Sequence, residues 1–232
     1  MYNELVTELN TRGANLIKIV DISQLSVKEN RGYNVAIIIG VVLSPGYIFR
    51  QLIENIVDYS EFGEKERRTD ELAEWIADFL IAKGYSSFAQ SERNLIDGYY
   101  NENTKTTLLP HKKIAILAGL GWIGKSNLLV TQEYGSALCM CTVLTNAPLP
   151  TENRPIIKPK CGECTICKDI CPAGVIHGTT WERGMNRDLI VDVYQCDGCL
   201  KCLVNCFWTK KYAENNIAIF NECDVHQDFN TL

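Results

Sequence analysis

The sequence predicts an α+β protein in two parts: a mixed helix-and-strand module over residues 1–150 and a smaller cysteine-rich domain over residues 151–232. Three observations carry this. Helical and strand patterns succeed one another as far as Leu144. Four of the seven prolines (Pro148, Pro150, Pro155 and Pro159) then fall between Ala147 and Lys160, a composition break that favours an extended, semi-rigid linker. Finally, none of the 11 cysteines precedes Cys139, and eight lie between Cys161 and Cys206. With 232 residues, 46% hydrophobic and 22% charged, the chain can bury a core and is too ordinary in composition for disorder, collagen or coiled coil.

The elements follow in order. Asn3 to Arg12 reads as a helix with Leu5, Val6 and Leu9 on one face and Gly13 as its stop. Ala14 to Val20 and Val35 to Leu43 read as strands, the second almost continuously apolar and so buried on both faces. Ser44-Pro45-Gly46 reads as a turn before a helix from Arg50 to Tyr59. Thr69 or Asp70 caps the best-patterned helix, where Leu72, Trp75, Ile76, Phe79 and Leu80 recur at helical spacing before Gly84. Ser86 to Gln90 is a further strand, Tyr99 to Leu109 is polar and ambiguous, and Ala137 to Leu144 returns to strand character. Beyond the proline-rich stretch periodic elements are few, so an inorganic centre is expected to hold the domain together.

Charge and hydropathy exclude several functions. With 28 acidic and 23 basic side chains the net charge is −5, which disfavours a general nucleic-acid binder and tRNA with it. The longest apolar run is too short to cross a bilayer. Met1-Tyr-Asn-Glu4 has neither the basic start nor the apolar stretch of a secretory signal. A cytoplasmic protein without membrane contact is expected.

Cys161-Gly-Glu-Cys164-Thr-Ile-Cys167-Lys-Asp-Ile-Cys171-Pro172 has the spacing C-x2-C-x2-C-x3-C-P, and Cys196, Cys199, Cys202 and Cys206 repeat it with Phe207 in place of the proline. Three closely spaced thiolates can wrap three corners of an iron–sulfur cube, while the fourth, displaced by x3, reaches a second cube. Crossed ligation then assigns Cys161, Cys164, Cys167 and Cys206 to one 4Fe–4S cluster. It assigns Cys196, Cys199, Cys202 and Cys171 to the other. Zinc sites pair two C-x2-C units and have no use for a third thiol and a displaced fourth. Cys139 and Cys141 share one face of a strand, either as two small buried hydrophobes or as a thiol pair facing a cofactor.

Gly119-Leu-Gly121-Trp-Ile-Gly124-Lys125-Ser126 matches both G-x-G-x-x-G and G-x-x-x-x-G-K-S. The dinucleotide reading lacks its acidic residue about twenty positions on, where Leu138-Cys-Met-Cys141 stands. The triphosphate reading lacks an alternating α/β context, and Asp192, the nearest metal-binding aspartate, falls in the cysteine-rich part. Tight glycine packing beneath an anionic or amide-fringed cofactor remains. His111, after Pro110, is either a cofactor or proton-transfer residue or a polar residue entering an element, and Lys112 and Lys113 are a solvated pair or phosphate contacts.

The run Ala118-Gly-Leu-Gly-Trp-Ile-Gly-Lys-Ser-Asn-Leu-Leu129, followed by Gly135-Ser136, Val143-Leu-Thr-Asn-Ala-Pro-Leu149 and the first cysteine motif, resembles the epoxyqueuosine reductase family, whose architecture is shared with corrinoid-dependent reductive dehalogenases. The resemblance is close from Ala118 to about Trp181 and fainter back through Val57-Asp-Tyr59. It implies a nitroreductase-like α/β module carrying a corrinoid (cobalamin), with FMN the second choice, fed with electrons by a two-cluster ferredoxin-like domain. Gly119, Gly121, Gly124, Lys125, Ser136 and Cys139 would line the cofactor site. The family's proton-donating aspartate lies upstream of the glycine loop, and an ungapped count places Lys105 there, with Tyr99 or Tyr100 as stand-in. The departure at Lys105 and a chain that ends soon after the second motif weigh against epoxyqueuosine as substrate. Two functions follow: an iron–sulfur reductase acting on a small-molecule or corrinoid substrate, or an electron-transfer accessory protein docking on a partner enzyme. Either takes a ferredoxin- or flavodoxin-like donor, and a homodimer is left open. Anaerobic reconstitution is expected to yield about eight irons per chain and no zinc; metal analysis returning zinc, or about four irons, refutes the crossed pair.

Overall fold

The computed structural model describes residues 1–94 and 100–227, with side chains placed through residue 217. The α+β class holds: small sheets and helices occur together along the chain. Tyr99 lies outside the described residues.

Helix α1 (Tyr2–Thr11) buries Leu5 and Leu9 and stops where Gly13 turns to a φ of 86°. Strand β1 (Leu16–Asp21) is antiparallel to β2 (Val35–Val42), with Ile19 opposite Ile37. Between them α2 (Val27–Asn30) opens on a capping box in which Ser26 and Glu29 satisfy each other's backbone N–H. Ser44-Pro45-Gly46, expected as a turn, starts helix α3 (Pro45–Glu54) instead. Ser44 Oγ accepts the Tyr47 N–H at 3.1 Å, and Pro45 occupies a first-turn position that needs no donor. The helix expected over Arg50 to Tyr59 is therefore displaced toward the N-terminus, ending at Asn55 with φ 49°.

Helix α4 (Ser60–Ala82) also begins earlier than its apolar spacing indicated. Asp58 accepts the Ser60 N–H at 2.8 Å and so marks its start. Thr69, expected as the cap, lies inside the helix with its hydroxyl donating to the Glu66 carbonyl at 2.7 Å. Its charged first turns carry no apolar stripe, so periodicity could not reveal them. The chain continues through β3 (Ser87–Ala89), the small hairpin of β4 (Tyr100–Asn101) and β5 (Thr106–Thr107), and α5 (His111–Leu117). Next come the short strands β6 (Trp122–Ile123) and β7 (Leu129–Val130), then the long β8 (Leu138–Thr145).

The chain folds into two compact units, and the division between them is not a single cut at residue 150. The first comprises Met1–Val42, Phe62–Trp122 and Cys139–Lys158. Its sheet runs β1-β2-β8-β3, and β2, an interior strand, is buried along nearly its whole length. Ile37, Ile39 and Val143 pack with Leu5, Leu72 and Ile76 in one core. Burying each such side chain contributes about 1.5–3 kcal/mol. The proline-rich stretch belongs to this unit as far as Lys158 because its backbone is tied down. Glu152 N donates to Ile19 O, Arg154 N to Leu117 O, and Asn153 exchanges two bonds with Asp21. A composition break thus marks irregular backbone here, but not a free linker.

The second unit comprises Leu43–Glu61, Ile123–Leu138 and Pro159–Leu232. It contains α3, α6 (Ile166–Asp169), α7 (Lys201–Val204) and α8 (Phe207–Gln227). Helix α8, unforeseen because its apolar residues do not recur on one face, packs against α3, and Tyr212 Oη donates to Leu43 O at 2.9 Å. Gly135 makes the seat for its first turn: a Cβ there would lie 2.2 Å from Thr209 N, at a φ of 58°. Gly135→Ala is expected to cost about 3 kcal/mol or more. Gly84→Ala meets open space at a φ of 88° and is expected to cost about 1–2 kcal/mol. Urea midpoints of the two variants would test this, and equal losses would refute the seat.

Candidate metal centre

Within the second unit, Cys161, Cys164, Cys167 and Cys206 line one cavity of about 160 Å³, together with the Gly124-Lys125-Ser126 loop and Trp208. The first three thiols come from the irregular chain and short α6 after Lys160. The fourth arrives from the other motif because Cys206 caps α8, its carbonyl accepting the Lys210 N–H at 2.9 Å. The N–H groups of Trp208 and Thr209 and the Thr209 hydroxyl all donate toward the Cys206 sulfur. The buried Thr209 hydroxyl in turn accepts the Ser136 N–H at 2.9 Å. Gly135-Ser136 therefore supports the helix end that presents a thiol.

The electrostatics show thiols of both runs crowded together. Burial, followed by Cys161, Cys206 and Cys164, pushes the Cys167 thiol up to about 11. Burial, followed by Cys199, Cys167, Cys196 and Cys171, pushes Cys202 up to about 12. Cys171 also contributes to raising Cys199, after burial and the neighbouring Asp197. Thiolates crowded in this way are favourable only around a cationic centre, and binding one releases protons. Among the described residues no three His, Cys, Asp or Glu side chains are placed to hold a single metal ion. The four thiols surround a space larger than one ion, which suits a polynuclear centre. Val175, Ile176 and Val191 form the apolar cluster against which Cys167, Cys171 and Cys202 pack.

The residues expected to cradle an organic cofactor have other neighbours. A Cβ on Gly119 would meet the Arg154 side chain at 2.6 Å, and one on Gly124 would meet Val130 at 2.8 Å. Gly121 is buried. Lys125 Nζ donates to Gly162 O at 2.7 Å and Cys164 O at 3.2 Å. Cys139 and Cys141 share the face of β8 that meets α4. The Cys139 sulfur lies 3.8 Å from Phe62 O, and Cys141, deeply buried, neighbours Asp70. Tyr100 stands exposed on β4, and Lys105 occupies the turn before β5 with a φ of 46°. Lys113 pairs with Glu29. Thr209 and Trp208 are the site residues that sequence reasoning missed, because α8 has no periodic apolar face to reveal where it starts.

No family model matches the chain. It is 38% identical over 68 residues to the epoxyqueuosine reductase of Bacillus anthracis, covering 29% of this chain and 17% of that protein. To the epoxyqueuosine reductase of Synechocystis sp. it is 29% identical over 143 residues, 53% and 49% of the two chains. Of the solved structures, epoxyqueuosine reductase from Bacillus subtilis superposes with a TM-score of 0.58 at 16% identity, over 90% of this chain and 65% of that one. A catabolic reductive dehalogenase in complex with 3-bromo-4-hydroxybenzoic acid superposes with a TM-score of 0.64 at 18% identity, over 87% and 32%. The chain thus spans less than two thirds of each of these proteins. The sequence matches bear out the resemblance to epoxyqueuosine reductases, and the structural ones show a shared fold. Among the described residues no helix is long and apolar enough to cross a membrane.

His111 opens α5 with its Nδ1 3.0 Å from Thr142 Oγ1, and burial lowers its pKa from 6.5 to about 4. Between those values the unfolded chain binds a proton that the folded chain refuses, so stability falls as pH drops through the window. His111→Gln is expected to flatten the loss of stability between pH 6.5 and 4.5. Denaturation midpoints measured at both pH values would check this, and an unchanged slope would refute it.

Proposed function

We propose that the chain is an iron–sulfur oxidoreductase whose second unit binds two 4Fe–4S clusters by crossed ligation. Cys161, Cys164, Cys167 and Cys206 hold one, and Cys196, Cys199, Cys202 and Cys171 hold the other. The observation that carries this reading is that Cys206, from the second motif, lines the same cavity as the three leading thiols of the first. The donor set fits: four soft thiolates per centre suit iron–sulfur chemistry. Such clusters, when bound, supply one-electron transfer. The protein's part is to hold the sulfurs, desolvate them and direct N–H groups toward Cys206. Electrons would come from a ferredoxin- or flavodoxin-like donor.

For the first unit, the resemblance supports a nitroreductase-like module that receives the electrons on a corrinoid, or less favourably FMN. The residues expected to form that cradle do not fit it: Gly119 faces Arg154, Gly124 faces Val130, and Lys125 is bonded to two carbonyls. No step is therefore derived through a corrinoid. The same observation favours a second reading, an electron-transfer accessory protein that docks on a partner enzyme. The position of Lys105 in an exposed hairpin turn, where an acid was sought, agrees with it.

Two experiments test these readings. Cys206→Ser is expected to lose about four irons, and the double variant with Cys161→Ser should lose no more. The double variant with Cys199→Ser should lose nearly all. The reverse pattern would place Cys206 with its own motif and sink the crossed assignment. Anaerobic holoprotein that retains cobalamin or FMN through gel filtration would support the reductase reading, and retention of neither would support the accessory one.

A further inference from the structure

Lys125 is 9% exposed, and its ammonium donates to the carbonyls of Gly162 and Cys164. Among the described residues no carboxylate pairs with it. A buried cation is costly unless a counter-charge compensates it, and two carbonyl dipoles supply only part of that compensation. The same cavity is lined by four thiols, with Ser126, the exposed Lys160 and apolar side chains making up much of the rest. Lys125 thus sits where a phosphate-binding lysine would sit in G-x-x-x-x-G-K-S, yet it turns to the backbone of the first cysteine loop.

We infer that Lys125 is the counter-charge of the cluster held by Cys161, Cys164, Cys167 and Cys206: it straps the cysteine loop and raises that cluster's reduction potential relative to the other. The inference rests on the two-cluster reading above. A fixed positive charge in a poorly solvated site favours the more negative, reduced form of a neighbouring centre, and net charge and hydrogen bonding are established levers on such potentials. The N-terminus of α8, whose N–H groups point at Cys206, acts in the same direction. The other tetrad has different surroundings: Cys196 is exposed, the Cys199 N–H bonds to the Asp197 carboxylate at 3.2 Å, and Lys201 is 3.4 Å from Asn55 Oδ1. Lys160 also lines the first cavity but is exposed, so solvent screens it. Electrons entering the pair would therefore settle on the Cys206-bearing cluster.

The test is an EPR-monitored redox titration, with dithionite as reductant, of anaerobically reconstituted full-length chain. Lys125→Met is expected to shift one of two midpoints downward and leave the other in place, with the iron content at about eight per chain. Lys125→Arg should restore the wild-type midpoint, and Lys160→Met should move neither. Unchanged midpoints in a fully loaded Lys125→Met protein would overturn the inference. If that variant loses a cluster, Lys125→Gln, which keeps a donor for Gly162 O, decides: a lowered midpoint supports the assignment. A wild-type midpoint, or loss of the cluster from both neutral variants but not from Lys125→Arg, reduces Lys125 to a strap and overturns it. Wild-type protein that binds no iron would instead fail the two-cluster reading, before any variant is compared.

Discussion

The burial of closely spaced thiols, which resist ionising together, is the constraint on which the second unit depends. Eight cysteines between Cys161 and Cys206 are drawn toward one another from two loops, and burial with mutual repulsion holds Cys167 and Cys202 far above the ordinary thiol range. The apolar support beneath them is slight, three side chains at Val175, Ile176 and Val191. Ionising these sulfurs together would be favourable only around a cationic centre, and loops gathered on such a centre would need few elements of their own. That Cys206 shares a cavity with Cys161, Cys164 and Cys167 has a simple local cause. Cys206 caps a long helix, its carbonyl accepting the Lys210 N–H, so α8 helps to fix its position.

That helix accounts for much of the neighbouring sequence. Gly135 has no side chain because Trp208 and Thr209 pass where one would be, and the Ser136 N–H is taken by the Thr209 hydroxyl. Residues that read as the rim of a cofactor pocket thus seat the helix end next to Cys206. The glycine loop has a comparable role. Its resemblance to phosphate-binding patterns arises because both uses need a backbone that approaches closely and a lysine free to reach inward. What differs is the target, which here is a pair of carbonyls on the cysteine loop.

The first unit is held in a more ordinary way, by an apolar core between its sheet and α1 and α4. Ion pairs such as Lys113 with Glu29 are partly exposed and contribute little to stability. Cys141 belongs to this core and neighbours Asp70 of α4, while Cys139, also buried, lies near Phe62 O of the same helix.

Spacing along the chain was enough for the expectation that the fourth cysteine of each run joins the leading three of the other, and the structure brings Cys206 to the cavity lined by Cys161, Cys164 and Cys167. Apolar patterning was enough for the strands at Val35 and Leu138 and for the later turns of α4, where one face is buried and the period survives. The start of α4 and the whole of α8 were illegible, because their first turns are charged or their apolar residues are scattered. Their positions follow from caps and from packing on residues distant in sequence. The target of Lys125 was likewise a matter for the tertiary structure alone. A lysine after glycine can reach any acceptor within its length, and which acceptor lies there depends on how a loop 37 residues further on folds back.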